Sequence, residues 1–273
     1  MDQEVMYYYG RKDVRFRLIS YTQNRELAFI SKIRPESSTR NLKCHNIQQV
    51  LLLMQYLKFH QKDYSMYYSL ARFREPLPWS GDDMVKRKPK VNEWVKKFQD
   101  NVVGMDFALD IDSPSHKDGD MNSAFLSTRI IKKYLDSVRC PYSLRFSGMG
   151  FHIIIASDYF KGFIRPFDIF LYLDLFHGLA KYLYLRFSEM VDVNIYDSRR
   201  VIKIPYSVAI YDDGEFICTP FNSTPSFEMF DLRRFRFSNM KSEFLKVRTE
   251  HIFNRDGSVQ GLLDDVMNKR CIS

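Results

Sequence analysis

The run Phe107-Ala108-Leu109-Asp110-Ile111-Asp112 ends an apolar stretch in two carboxylates two positions apart. Alternate side chains of a β-strand share a face, so Asp110 and Asp112 project together, about 6–7 Å apart, while Phe107, Leu109 and Ile111 turn to a core. Like charges so placed repel unless a cation joins them, and hard oxygen donors of this kind suit Mg²⁺ or Mn²⁺. A solvated strand end would carry the same pattern with no ligand. By alternation Asp106 falls on the same face.

Two further motifs carry chemistry. In Arg145-Phe146-Ser147-Gly148-Met149-Gly150-Phe151-His152 a strand enters, a Ser-Gly-x-Gly turn reverses it, and an apolar strand leaves with His152 near its start. Glycines let a backbone approach a ligand closely, and N–H groups in such a turn can cradle phosphate oxygens beside the Ser147 hydroxyl and His152. An ordinary hairpin with a core histidine reads the same way. The third motif is Asp192-Val193-Asn194-Ile195-Tyr196-Asp197-Ser198-Arg199-Arg200-Val201-Ile202-Lys203-Ile204-Pro205. Arg200, Ile202 and Ile204 share one face of a strand here, with Val201 and Lys203 on the other. Cations beside a carboxylate suit a triphosphate–metal site; a surface salt-bridge network is the alternative. Taken together, the carboxylates, the glycine turn with His152 and the basic strand make a coherent site for a hydroxyl attacking a triphosphate.

The elements that must position these residues follow from periodicity. Strands are predicted at Val14–Ser20, Leu27–Ile33, Val102–Asp112, Tyr142–Phe146, Phe151–Ala156, Val201–Ile204 and Val208–Tyr211, with Asp212-Asp213-Gly214 closing a hairpin onto Glu215–Cys218. Helices are predicted over Ile47–Phe59 behind a His45-Asn46 cap, over Ala124–Val138 and over Pro166–Ser188. In the second of these Phe125, Ile130, Ile131, Tyr134 and Leu135 form the apolar face. Residues 76–100, with Pro76, Pro78, Ser80-Gly81-Asp82-Asp83 and Lys86-Arg87-Lys88-Pro89-Lys90, read as a basic loop, and 113–122 as a polar one. From Ser242 onward the chain is expected to be helical or loosely ordered. The pattern points to a mixed α/β or α+β core.

At 273 residues the chain can bury a substantial core. A formal charge of +8 favours an anionic partner such as nucleic acid or nucleotides. Cys44, Cys140, Cys218 and Cys271 are scattered, with no Cys-x-x-Cys, so neither a zinc site nor a disulfide framework is expected. The start Met1-Asp2-Gln3-Glu4 lacks a signal-peptide pattern, and the apolar stretch Phe163–Phe187 is interrupted by charges, so a cytoplasmic protein (nuclear if eukaryotic) without a membrane span is expected.

The ordered set of motifs resembles the archaeo-eukaryotic primase superfamily, and within it the small catalytic subunit of replicative primases. Leu109-Asp110-Ile111-Asp112 is similar to the metal-binding first motif, Ser147 to His152 to the nucleotide-binding second, and Asp192-Val193-Asn194-Ile195 with Val201 to Val208 to the third. Arg25-Glu26-Leu27-Ala28-Phe29, Arg40-Asn41-Leu42 and Met66 to Ala71 resemble segments that precede them. The resemblance spans about residues 7–210.

It implies a primase fold: an RRM-like catalytic sheet on an N-terminal α/β unit. One catalytic domain would cover 1–273, with an N-terminal lobe to about 100, a catalytic lobe over 101–240 and a tail over 241–273. It implies template-directed nucleotidyl transfer on single-stranded DNA, with Asp110, Asp112 and Asp192 holding two Mg²⁺ or Mn²⁺ ions. Ser147, Gly148 and His152 would grip the incoming NTP or dNTP, and Lys203 with Arg200 its terminal phosphates. Glu26 and Arg40 would contact the initiating or incoming nucleotide. A primase large subunit or another replication or repair protein is the implied protein partner. Asp197 rivals Asp192 as third ligand. The chain lacks the zinc-binding cysteines of replicative small subunits. Met149 stands where many carry a basic residue, leaving Arg145 or Arg200 to substitute, and Ser207-Val208-Ala209 stands where a histidine is common. A gap-filling repair polymerase, a non-catalytic nucleic-acid-binding subunit and a metal-dependent nuclease are the other readings.

Overall fold

The structure, a computed structural model, describes residues 3–31, 39–42, 64–74, 100–112, 121–163, 168–211, 214–239 and 250–270. The helix over Ile47–Phe59, nearly all of the basic loop 76–100 and the Asp212-Asp213 turn lie outside the described residues. So do residues 113–120 of the polar loop and 241–249 of the tail. The chain opens with helices α1 (Gln3–Gly10) and α2 (Lys12–Thr22). Strands β1 (Leu27–Ser31), β2 (Thr39–Leu42), β3 (Tyr64–Ser69), β4 (Ala71–Phe73), β5 (Val102–Met105) and β6 (Phe107–Asp112) follow. Helix α3 (Met121–Ser137), the hairpin strands β7 (Ser143–Phe146) and β8 (Gly150–Ile155), and helix α4 (Ile169–Phe187) come next. Strands β9 (Val201–Lys203), β10 (Val208–Tyr211), β11 (Gly214–Ile217) and β12 (Thr219–Pro220) lead to helices α5 (Thr224–Glu228) and α6 (Gln260–Arg270). This is a mixed α+β protein with antiparallel sheets. Among the described residues no helix is long and apolar enough to cross a membrane.

The chain divides into two compact units. The first comprises Met1–Gly104, Val201–Cys218 and Leu232–Val247. Its antiparallel sheet has the order β2-β1-β3-β9, and β10 pairs with β11. The strand predicted at Val14–Ser20 is instead helix α2. Val14, Leu18 and Thr22 recur every four residues along its buried side, whereas Phe16, which suggested alternation, is 69% exposed. Helix α1 is fixed by two tyrosines: Tyr8 donates to the Tyr206 carbonyl at 2.9 Å, and the Tyr9 hydroxyl accepts from the Val208 N–H at 2.7 Å.

The second unit comprises Met105–Arg200, Thr219–Asp231 and Arg248–Ser273. Its antiparallel sheet has the order β12-β7-β8-β6. One face is apolar. Phe151 on β8 meets Phe125 of α3 at 5.9 Å and Phe227 of α5 at 6.0 Å between ring centroids, with Phe146, Phe221 and Phe230 closing the cluster. Phe107 packs on Phe176 of α4 at 5.2 Å. Such aromatic pairs add about 0.5–1.5 kcal/mol each beyond their buried area. Helix α4 begins where the Asp168 carboxylate accepts from the N–H groups of Phe170 and Leu171, and it buries Ile169, Tyr172, Phe176, Leu179, Ala180 and Leu183 at helical spacing. On α3 the buried stripe is Ala124, Thr128, Ile131 and Leu135. Ile130, predicted on the apolar face, is 49% exposed because it stands one position off that stripe.

Candidate active site

The strand predicted to run unbroken over Val102–Asp112 divides at Asp106. The buried Asp106 carboxylate accepts from the Ser157 N–H at 2.9 Å, at the start of the 3₁₀ turn Ser157–Phe160. Its place is therefore structural, and the alternation that put it with Asp110 and Asp112 ends at the break.

Beyond the break the strand period holds. Asp110 pairs in register with His152, His152 with Arg145, and Arg145 with Pro220. Asp110, His152 and Arg145 thus form one cross-strand row on the face opposite the phenylalanine cluster. In the next row Asp112 pairs with Gly150, whose carbonyl accepts from the Ser147 N–H at 2.9 Å. The His152 Nε2 lies 3.3 Å from the Asp110 Oδ1. A Cβ on Gly150 would sit 1.9 Å from the Asp112 Oδ1 and 2.5 Å from the Ile111 carbonyl oxygen, so only glycine lets Asp112 lie against this strand. Gly148 takes φ 112°, the left-handed conformation that closes the turn. The Ser147 Oγ is buried and has no hydrogen-bond partner among the described residues.

The third carboxylate arrives on the loop 188–200, laid along β6 on the side away from β8. Val191 bridges to Ile111, the Asp192 N–H donates to the Asp110 carbonyl at 2.9 Å, and the Tyr196 hydroxyl donates to the Ala108 carbonyl at 2.7 Å. Covering an edge strand in this way also blocks stray strand pairing. Tyr196 stacks on Phe107 at 5.8 Å and on His177 at 6.3 Å. Burial raises its phenol well above the ordinary value, and the charges of Asp110 and Asp192 raise it further against the opposing pull of Arg200. Tyr196 therefore remains a protonated donor, and Asp110, Asp192 and Arg200 all bear on it. The Asp192 Oδ1 accepts from the Asn194 N–H at 2.8 Å, and its Oδ2 lies 3.9 Å from the Arg200 guanidinium. Asp197, the rival third ligand, turns its carboxylate to the Arg199 N–H at 2.8 Å.

Asp110, Asp112, Asp192, Ser147, Gly148, His152 and Arg200 therefore lie in one unit. Glu26, Arg40 and Lys203 belong to the other. There, the ladder β1-β3-β9 places Lys203 in a row with Tyr67 and Ala28, while Glu26, just before β1, stands two rows on, where its carbonyl accepts from the Ser69 N–H and Ser69 pairs with Val201. The Lys203 ammonium donates to the Tyr211 hydroxyl and lies over that ring. Arg40 is on β2. Arg200, expected to open a strand with Ile202, precedes β9, which begins at Val201.

Among the described residues no three of His, Cys, Asp and Glu are gathered into a metal-ready cluster. Asp110 and Asp112 lie on one strand, and Asp192 is tied to the Asp110 backbone carbonyl through its N–H. Of the cysteines among the described residues, Cys140 and Cys218 are buried, and burial pushes the Cys140 thiol up to about 12.

Two residues beside the site went unmarked in the sequence. Tyr196 acts through a carbonyl 88 positions earlier, which no local pattern reveals. Glu250, in what read as a tail, places its Oε1 3.3 Å from the Nε of the fully buried Arg145.

No family model matches the chain, and no curated protein matches it in sequence. Among solved structures it is similar to the polymerase domain of Mycobacterium tuberculosis Ligase D in complex with DNA, with a TM-score of 0.50 and 10% identity over 97% of this chain and 88% of that one. At that identity the likeness is one of fold alone.

Proposed function

We propose that this chain is a template-directed nucleotidyltransferase of the primase-polymerase type, acting on single-stranded DNA with NTPs or dNTPs. The observation that carries the reading is the paired rows on one sheet face, Asp110 opposite His152 and Asp112 opposite Gly150, with the unpartnered Ser147 hydroxyl at the turn. A polar face of this composition contributes little to folding and is suited to a phosphate chain and its counter-ions.

In this reading Asp110, Asp112 and Asp192 hold divalent metal, Mg²⁺ or Mn²⁺. A divalent ion held there would supply activation of the attacking hydroxyl and charge neutralisation for the leaving pyrophosphate. The Ser147 hydroxyl and the turn's N–H groups take phosphate oxygens, and His152 donates a hydrogen bond to the same chain of phosphates. Arg200 supplies positive charge for the terminal phosphates. Tyr196 positions Asp192 by pinning its loop to β6.

The test combines the full-length protein with single-stranded DNA, Mn²⁺ or Mg²⁺ and labelled NTPs or dNTPs, with and without an annealed primer. Labelled oligomers without primer establish primer synthesis. Extension of a primer alone establishes a second reading, a gap-filling polymerase, which the fold shared with a ligase's polymerase domain favours. Failure of both, with DNA still bound, overturns the enzymatic proposal in favour of a non-catalytic subunit.

A further inference from the structure

The segment 250–258 is built into the second unit rather than trailing from it. Tyr142 and Phe253 exchange backbone hydrogen bonds of 3.2 and 2.8 Å, and their rings stack at 5.1 Å. Asn254 donates to the Asp136 carboxylate and to the Cys140 carbonyl, each at 3.0 Å. The same carboxylate accepts from the Tyr142 hydroxyl at 2.9 Å and from the buried Lys132 ammonium at 2.7 Å. Gly257 runs so close to Arg139 that a Cβ would lie 1.8 Å from its carbonyl oxygen. These ties fix the chain three residues beyond Glu250 and so fix where Glu250 enters.

Glu250 enters at Arg145. The side-chain pair adjoins the cross-strand row of Arg145, His152 and Asp110, with Glu250 reaching the guanidinium from outside the ladder. Residues directly opposite in such a ladder have Cβ atoms about 4.5–5.5 Å apart, so the Arg145 stem forms one wall of the His152 ring. A buried ion pair is a poor device for stability, because apolar residues of similar volume serve as well or better. Its presence beside His152 calls for another use. We propose that Arg145 and Glu250 are positioning residues for His152, and that the segment 250–258 completes the candidate active site. Glu250 holds the guanidinium, and the guanidinium confines the imidazole to the orientation that keeps its Nε2 by Asp110 and free of the sheet's apolar side. The inference rests on the nucleotide-binding reading of His152.

The test compares the wild-type chain with Glu250→Gln, Arg145→Lys and the double variant Arg145→Met/Glu250→Met. Three quantities are read: unfolding temperature, Kd for a non-incorporable dNTP analogue with Mn²⁺, and the KM and kcat of incorporation. Breaking the pair in Glu250→Gln is expected to lower the unfolding temperature by roughly 10 °C, and the double variant to recover most of that loss. Positioning predicts that Kd and KM stay raised about tenfold in the recovered double variant, with kcat changed less. Arg145→Lys keeps the charge but loses the planar fork, and it is expected to show the same raised KM in a folded protein. If the double variant and Arg145→Lys bind nucleotide as tightly as wild type, the pair is structural and the inference fails alone. A wild-type chain that binds no metal–nucleotide overturns the reading of His152, and the positioning role with it.

Discussion

The two units spend their buried polar groups differently. In the first, several polar side chains finish the backbone. Arg25 donates to the carbonyls of Ser69 and Leu70 at 2.7 and 3.0 Å and lies over the Tyr68 ring. The Ser69 hydroxyl donates to the Ala71 carbonyl and accepts from the Glu26 N–H. In the second, the sheet's polar face sets ionisable side chains beside one another, and the Ser147 hydroxyl has no partner among the described residues. An unmet buried polar group costs about 1–3 kcal/mol. In the proposed reading the Ser147 hydroxyl is kept for a phosphate oxygen.

Mutations can break or sharpen the contrast. The largest effect is expected from Asp110→Ala with Asp112→Ala. Incorporation should fall at least about a thousandfold because the metal-dependent step is lost, while the unfolding temperature holds or rises as like charges are removed. A large drop in stability instead would make these carboxylates structural and erase the distinction between the two units. Gly150→Ala should follow, since its Cβ meets the Asp112 Oδ1 and the Ile111 carbonyl. Urea unfolding should register a loss of about 1–3 kcal/mol or more, with incorporation falling in the folded protein as Asp112 is displaced. The smallest effect on activity belongs to Asp106→Ala. It should cost about 1–3 kcal/mol by abandoning the Ser157 N–H, yet leave kcat per folded molecule unchanged. Equal loss of kcat in Asp106→Ala and the Asp110/Asp112 variant would show that position along this strand does not separate the structural carboxylate from the others.

Much of the site was legible because strand alternation is a local rule. Asp110 with Asp112, and the turn from Ser147 to His152, needed only the period of two and the glycines. The limits of that rule produced the errors. Asp106 was grouped with its neighbours on the assumption of an unbroken strand, and a tertiary hydrogen bond to Ser157 makes the break. Val14, Phe16 and Leu18 alternate in apolarity, but burial follows Val14, Leu18 and Thr22. The partnership of Arg145 with Glu250 had no sequence signal, because it depends on the bridge that Tyr142 makes with Phe253. The sheet registers likewise follow from pairings between distant segments, which a single sequence does not display.

The tyrosines of the first helix have a consequence for how the molecule is born. Tyr8 and Tyr9 are secured by backbone groups 198 and 199 positions further along the chain. At elongation rates of about 5–20 residues per second, those partners leave the ribosome roughly 10–40 s after the helix that needs them. Helix α1 is thus anchored well after it has been made. Until then Val5, Tyr8 and Tyr9, all buried in the finished protein, are open to any chaperone or neighbouring nascent chain that reaches them.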